Sequence, residues 1–285
     1  MKMRTLFTYL FVIMALSIYA DDYVKDAEPA ILEVYYTRIE INDTTKRDKH
    51  FMKDQVMLRI GKNKSLFCGT QKLWVDSLKA VNPELEWQMY RATMEANRQN
   101  GTHNLPGGYY WSYIYKNYPE GCVTERRYFD GDRHIYEEEW EKPQWEITDS
   151  VKTVIGYECF KAVSNYRGRE WTAWFAPEIP IQDGPWKLCG LPGLILEAYD
   201  SHHDYSFTAT GLRQNGIPPV GYMSYDDRRG LKKQARDKFF NDLWKYRNSN
   251  FGAKMNAIHG NGKMPDTENS APKSDAEETN YPHDL

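Results

Sequence analysis

Three short clusters of polar residues contain side chains that metal binding or hydrolysis would use. His202-His203-Asp204 combines two imidazoles with a carboxylate, all of which can ligate zinc. On a strand, neighbouring histidines point to opposite faces, so these two could share one ion only in a loop. Asp130-Gly131-Asp132 could hold calcium, but Asp-Gly is also a common hairpin turn. We therefore predict no metal site and no cofactor.

The third cluster is the acidic run over 137–141. A strand would place Glu137 and Glu139 on one face, about 7 Å apart by strand rise, which suits paired catalytic carboxylates. Acidic runs are more often simply solvated, and the sequence contains neither HExxH nor GxSxG, the signatures of zincins and α/β-hydrolases. We therefore assign no catalytic residue. A hydrolase that uses this run together with His202–Asp204 is the alternative function.

Aromatic residues indicate ligand binding more strongly than the three polar clusters indicate metal binding or hydrolysis. Alternate positions from 109 to 115 are all aromatic, so one face of a strand there would present Tyr109, Trp111, Tyr113 and Tyr115. Tyrosine and tryptophan provide amphipathic contact area for glycans, peptides or apolar ligands. A turn at Gly168 carries two arginines that could clamp an anionic group. We predict a ligand site formed by Tyr109, Trp111, Tyr113, Trp171, Trp174, Arg167 and Arg169; ordinary core packing is the competing interpretation.

The first residues have the layout of a secretory signal peptide. Lys2 and Arg4 precede an apolar run over 6–18, and a small residue, Ala20, then meets acidic residues. The run is shorter than the about 20 residues that span a bilayer, and no cysteine follows it for lipid attachment. We predict a signal peptide over 1–20 and an exported protein, periplasmic or secreted, that is not a lipoprotein and has no transmembrane span once mature. An uncleaved anchor is the alternative.

Length and composition predict a protein with a substantial core. The chain has 285 residues, 41% of them hydrophobic, and a net charge of −3, so no excess of positive charge indicates a nucleic-acid partner. Residues 261–285 are acidic and contain almost no apolar side chains. We predict one folded domain over 21–260 and a disordered acidic tail over 261–285.

Hydrophobic periodicity predicts the fold class. Period-two patterns indicate strands over 31–41, around a hairpin at Gly61, and repeatedly between 108 and 210. Helical spacing is present over 71–98, where Pro83 interrupts it, and over 225–248, which follows a helix-start box at Ser224. Strands in runs, with helices at two separated places, predict an α+β fold of mainly antiparallel sheet.

The cysteine count is compatible with disulfides. All four cysteines, Cys68, Cys122, Cys159 and Cys189, lie beyond the predicted signal peptide, and an even number in an exported chain favours bridging. Three pairings are open, of which Cys159–Cys189 is favoured because the two residues flank one compact stretch of strands. Four buried thiols that act as small apolar side chains are the alternative.

Ordered sequence blocks between 155 and 200 carry a family resemblance. Ile155-Gly156-Tyr157-Glu158-Cys159 comes first, Asp183-Gly184-Pro185-Trp186 comes later, and Gly190-Leu191-Pro192-Gly193-Leu194-Ile195 follows. Together they closely resemble the GLPGLI family, named after the last hexapeptide. The resemblance implies an exported protein of Bacteroidetes-type bacteria with no established activity. It also implies a curved antiparallel sheet, bowl-like or half-barrel-like, because a related module forms the bowl-shaped N-terminal domain of some bacterial N-glycanases.

The hexapeptide itself has the chemistry of a turn. Pro192 presets φ near −65° and Gly193 allows positive φ, which predicts a type II turn, and Gly190 permits a sharp bend before it. The motif is thus a folding device, or a fixed loop that frames a binding site. We predict an exported, non-enzymatic binding or accessory protein of the cell envelope, with its ligand on a concave aromatic face of the sheet. Its partner is unknown.

Overall fold

The computed structural model describes residues 23–41, 43–49, 51–102, 104–225, 227, 230–249 and 276–281. The predicted signal peptide over 1–20 lies outside the described residues. So does the predicted tail, except for residues 276–281. Within the described residues, no helix combines the length and the apolar composition needed to cross a bilayer.

Strands account for most of the regular structure in these ranges. They are β1 (Val24–Glu28), β2 (Ala30–Ile41), β3 (Phe51–Gly61), β4 (Ser65–Gly69), β5 (Ser112–Lys116), β6 (Cys122–Phe129), β7 (Asp132–Glu139), β8 (Glu146–Val154), β9 (Tyr157–Tyr166), β10 (Arg169–Ala176), β11 (Leu194–Asp200), β12 (Tyr205–Arg213), β13 (Val220–Met223) and β14 (Lys232–Lys233). The helices are α1 (Thr70–Val81), α2 (Pro83–Asn100) and α3 (Arg236–Arg247).

Twelve of these strands form one curved sheet. Its order is β14-β7-β6-β5-β4-β3-β2-β12-β11-β10-β9-β8, antiparallel throughout except for the parallel pair of β14 and β7. Phe67 of β4 and Phe207 of β12 are three strand steps apart, about 14 Å in a flat sheet. Their ring centroids are 5.8 Å apart, so the face that carries them is concave. The predicted α+β fold with a mainly antiparallel, curved sheet is confirmed.

Tight hairpins connect neighbouring strands where the sequence predicts them. Asp130-Gly131 joins β6 to β7, and Arg167-Gly168 joins β9 to β10. Both residues of each pair have positive φ, between 50° and 82°, as a two-residue hairpin turn of the primed type requires.

The helices match the prediction in one place and differ in the other. As predicted, Pro83 divides the first helical region: α2 begins there, and the Asn82 side chain accepts a hydrogen bond from the Leu85 amide at 3.1 Å. The C-terminal helix begins at Arg236, not near 225. Lys232 and Lys233 instead extend along β7, so the helix-start box predicted at Ser224 does not begin a helix. Sheet pairing overrides local helical preference there.

The concave face is a packed core for most of its area. Inward side chains of β2, β3 and β9–β12 form one apolar cluster, and the segment between β10 and β11 covers them with Trp186, Leu188 and Leu191, each at most 1% exposed. Lys116 fastens this segment to β5, since its ammonium is hydrogen-bonded to Asp183 and to the Gly184 carbonyl oxygen at 2.7 Å. A ligand therefore has no access to this part of the concave face.

The hexapeptide contributes to this core rather than to an open surface. Leu191, Leu194 and Ile195 are buried, and Gly190 has φ of +90°. Gly193 does not have positive φ, so the predicted type II turn is not formed. A Cβ on Gly193 would collide with the Ala176 carbonyl group, whose carbon would lie 2.6 Å away. Glycine is needed there because the backbones at the end of β10 and the start of β11 approach closely.

All four cysteines are free thiols in the structure, so the predicted Cys159–Cys189 disulfide is not formed. Cys159 lies in β9, whereas Cys189 lies within the covering segment, where it pairs by backbone with Asp183. Burial raises the pKa of each of these two thiols to about 11 and that of Cys68 to about 12. Cys122, in contrast, is half-exposed.

Substitution of Gly193 with alanine should lower the free energy of unfolding by about 2 kcal/mol or more, because the new methyl group collides with backbone that cannot rotate away. Gly211→Ala is the matched control, since nothing lies within 4 Å of the position that its new methyl group would take and its φ is not positive. Urea unfolding of both variants measures the difference. Equal loss of stability in the two would contradict the close-approach explanation.

Alkylation of the native protein at pH 8 should modify one cysteine quickly, Cys122, because the other three thiols are buried and have a raised pKa. Intact mass spectrometry would then show one adduct before denaturation and four after it. The Cys122→Ser variant should lose the fast adduct. Fewer than four adducts in denatured, unreduced protein would reveal a disulfide and contradict the structure.

Candidate functional site

The concave face changes from apolar to charged at one end of its central strands. On β2, Val34 and Tyr36 face the core, and the next two residues on the same face are Arg38 and Glu40. Arg38 Nη2 donates to a Glu40 carboxylate oxygen at 2.6 Å, although both side chains are nearly inaccessible to solvent. We call this region the charged end. Burying charge is costly unless it is paired, so its stability depends on its partners.

Neighbouring strands extend the charged end. From β6, Glu125 and Arg127 point to the same face, with their carboxylate and guanidinium 3.1 Å apart. Glu125 also accepts hydrogen bonds from Ser112 of β5 at 3.2 Å and from Tyr136 of β7 at 2.9 Å. This carboxylate therefore links three adjacent strands.

Residues 276–281 cross the charged end as an irregular segment, which we call the C-terminal strap. The prediction of disorder over 261–285 is wrong for these six residues, since Glu277 is 2% exposed and Glu278 is fully buried. Glu277 accepts hydrogen bonds from Arg38 at 2.9 Å and from Arg127 at 3.2 Å. Ion pairs with residues distant in sequence hold this part of the tail against the sheet.

Glu278 occupies a second cage of cations beside the first. Its carboxylate is hydrogen-bonded to the fully buried ammonium of Lys187 and to Arg236 at the start of α3, and Arg167 lies 3.9 Å away. Glu138 of β7 shares this cage, because it accepts from Lys187 and from Arg167, each at 2.8 Å. Two consecutive carboxylates of the strap thus enter two adjacent cationic sites.

Electrostatics keep both strap carboxylates ionised. Burial by itself would raise the pKa of Glu277, but the guanidinium groups of Arg127 and Arg38 outweigh it and hold that pKa well below 4.5. For Glu278 burial is likewise the largest opposing effect, and Lys187 and Arg236 lower the pKa. Ion pairing also raises the pKa of Lys187 despite its burial.

An open cavity of about 420 Å³ lies against the charged end, between the β2–β6 strands and the end of α3. Its outer part is aromatic: Tyr109 is 40% exposed, and the rings of Trp111 and Tyr128 have centroids 5.2 Å apart. Its inner part includes Arg38 and Tyr110. Within the described residues, Arg38 Nε, Arg38 Nη1 and the Tyr110 hydroxyl are buried without a hydrogen-bond partner. We call this space the rim cavity.

The structure brings some of the predicted ligand residues together and separates the others. Tyr109 and Trp111 line the rim cavity, but both precede β5 and do not continue its face. Tyr113 is buried on the convex face, in one apolar cluster with Met57 of β3 and Tyr222 of β13. The single aromatic face predicted over 109–115 is therefore not formed, because the strand begins only at residue 112.

The tryptophans and arginines that were predicted to bind a ligand contact other residues of the fold. Trp171 is fully buried in the core against Trp186, and Trp174 lies three positions on, under the Lys152 ammonium at 4.3 Å from its ring. Because strand faces alternate, Trp171 and Trp174 do not form one surface. Arg167 and Arg169 both contact the C-terminal strap: Arg167 lies 3.9 Å from the Glu278 carboxylate, and Arg169 donates to the Ala276 carbonyl oxygen at 2.8 Å. Their role in ligand binding stays a prediction.

The residues considered as metal ligands or as hydrolase residues form ion pairs and ring contacts with other parts of the fold. Glu137 faces the convex side, where it pairs with Lys233 at 3.0 Å, whereas Glu138 faces inward. His203 stacks on Tyr199 in the β11–β12 turn, and Asp204 pairs with Arg47 at 2.7 Å. Among the residues that the structure describes, no group of three or more His, Cys, Asp or Glu side chains could hold a metal ion. The hydrolase alternative stays a prediction.

Neither the charged end nor the C-terminal strap was predicted from the sequence. A signal for the first exists in β2, where the inward positions of an otherwise apolar pattern become Arg38 and Glu40. Charge at core-facing positions is uncommon and indicates a buried polar network or a site. For Lys187, within a Pro/Gly-rich stretch, and for Glu277 and Glu278, within a polar tail, the sequence contains no comparable signal.

Replacement of both strap carboxylates, Glu277→Gln with Glu278→Gln, should lower the free energy of unfolding at pH 7 by about 3 kcal/mol or more, because it leaves buried cations unpaired. The folded-state pKa values are lowered, so this stabilisation is complete above 4.5 and decreases as the pH falls below it. Urea unfolding at pH 7 and pH 3.5 should show the difference from wild type shrinking in acid. Glu84→Gln with Glu86→Gln on α2 is the matched control, and a pH-independent difference would contradict the ion-pair explanation.

Known proteins resemble this chain over a short stretch of sequence and, at low identity, in structure. Residues 167–197 match the model of a family described as "Protein of unknown function (Porph_ging)". This stretch includes the hexapeptide, but the match does not confirm the GLPGLI name. No curated protein matches the chain. Two structures of PNGF-II, in space groups P21 and C2, are similar with TM-scores of 0.48 and 12% identity; the matches cover 75% and 76% of this chain, which spans only 33% of PNGF-II.

Proposed function

We propose that this chain is an exported, non-enzymatic binding or accessory protein of the cell envelope, and that it binds a glycan in the rim cavity. The observation that carries the proposal is the combination of an exposed aromatic rim with a polar inner wall, which includes Arg38 and Ser112, in one cavity of about 420 Å³. The match to a family of unknown function is compatible with a binding or accessory role. Export rests on the signal-peptide pattern of residues 1–20.

The rim offers flat apolar surfaces of the kind on which sugar rings pack. Trp111 is held in place because its indole Nε1 donates to the Gly108 carbonyl oxygen at 2.7 Å, and Tyr128 lies beside it. The Tyr109 ring is exposed next to them, and its backbone amide donates to Asp54 at 2.7 Å. Rigid aromatic side chains provide contact area at little entropic cost.

The inner wall offers both donors and acceptors, which matches hydroxyl groups better than a purely apolar ligand. Arg38 and Tyr110 supply donors, and Glu40 and Glu277, which also pair with arginines, supply carboxylate oxygens. A small number of convergent polar groups in a largely aromatic pocket is typical of a specific small-ligand site. This site replaces the concave aromatic face expected from the sequence, because the core occupies that face.

Titration calorimetry against a panel of purified oligosaccharides of four to six units should identify a ligand, and Trp111→Ala should weaken its binding at least about tenfold, since it removes one stacking surface. Trp87→Ala is the matched control: this tryptophan is 51% exposed on α2 and does not line the cavity. Binding that survives Trp111→Ala unchanged, or no binding to any member of the panel, would overturn the proposal.

A further inference from the structure

We propose that the surface beneath the C-terminal strap is a binding site for acidic peptides with two consecutive carboxylates, and that residues 276–281 are its resident, exchangeable occupant. This proposal shares Arg38 and Glu277 with the glycan proposal, because both residues line the rim cavity as well as the first cage. The second cage, around Glu278, contributes no residue to the lining of the rim cavity.

The strap is held in the way that proteins hold peptide ligands. It joins no helix and no strand of the sheet. Its backbone is bound at two points: Arg169 donates to the Ala276 carbonyl oxygen at 2.8 Å, and the Thr279 amide donates to the Arg167 carbonyl oxygen at 2.9 Å. These contacts do not depend on the side chains of the bound segment, so they would serve any peptide in the same register.

Specificity comes from the two adjacent cages. Arg38 and Arg127 bind the first carboxylate, and Lys187 with Arg236 binds the second. With the strap in place, Lys187 and Arg38 are at most 2% exposed, and carboxylates of the sheet, Glu138 and Glu40, also hold them. Arg167 Nε, also buried, has no hydrogen-bond partner among the described residues, which leaves donor capacity in the second cage.

An aromatic contact and a close backbone approach complete the recognition. The Tyr281 ring stacks on Phe240 of α3 with centroids 5.2 Å apart. At the other side, a Cβ on Gly168 would collide with the Thr279 hydroxyl oxygen and would lie 2.8 Å from the Asn280 nitrogen. The β9–β10 turn and α3 thus form two walls, between which an extended segment fits.

Charge explains why the site requires an acidic occupant. Without the strap, the second cage contains Lys187, Arg167 and Arg236 against Glu138, with Glu125 3.7 Å from Lys187. Buried cations without counter-charges are strongly unfavourable. Three cations then face two carboxylates, and this excess of positive charge favours another anionic segment in place of the strap.

Fluorescence polarisation measures how tightly the full chain binds a labelled peptide that has the sequence of residues 274–282. The wild-type chain should bind it weakly, because its own strap competes at high effective concentration. The Glu277→Gln, Glu278→Gln chain should bind it at least tenfold more tightly. The same peptide with glutamine at both glutamate positions should not bind either chain.

Controls make each outcome decisive. Glu84→Gln with Glu86→Gln changes the same number of charges on α2 and should leave peptide affinity at the wild-type value. If circular dichroism shows the strap variant to be unfolded, the Tyr281→Ala chain takes its place, because it removes only the ring contact. A folded strap variant that binds no more tightly than wild type, or that binds the glutamine peptide equally well, would overturn the proposal. Because Glu277 lines both sites, glycan binding is measured only in chains that keep Glu277 and Glu278, so that failure of one proposal is distinguished from failure of the other.

Discussion

The buried ion pairs at the charged end are the interaction on which the rest of the structure depends. Arg38, Arg127 and Lys187 are enclosed in protein, and each would destabilise the fold if its counter-charge were missing. The sheet supplies some of the carboxylates, among them Glu125, which bridges three strands. The strap supplies two more. The sheet, the covering segment, α3 and the C-terminal strap are therefore held together by one set of charges.

Sheet curvature determines where these charges can be buried. Because the sheet bends, side chains from strands that are not neighbours meet on its concave face, as Phe67 and Phe207 do. Over most of this face they are apolar and exclude water. At the charged end the same curvature gathers cations from several strands, and it leaves the rim cavity open beside them. The packed core and the proposed sites are two parts of one surface.

Much of the fold was predictable because its determinants are local. Alternating hydrophobicity specifies the strands, paired turn residues such as Asp130-Gly131 specify the hairpins, and Pro83 divides the helical region. Local signals also misled in two places. Helical spacing after Ser224 is overridden by pairing with β7, and Gly193 serves a close backbone approach instead of a positive φ.

By itself, the sequence determined the fold class, the order of most elements and the presence of aromatic and cationic residues able to bind a ligand. Only the tertiary structure decided which of those residues share a site. Arg38 and Glu277 are 239 positions apart, and no periodicity or turn motif relates them. Their pairing is a property of the curved sheet, which brings distant charges into one dehydrated volume where each must find a partner. For the same reason Trp171 became core, whereas Tyr109 and Trp111 came to line a cavity.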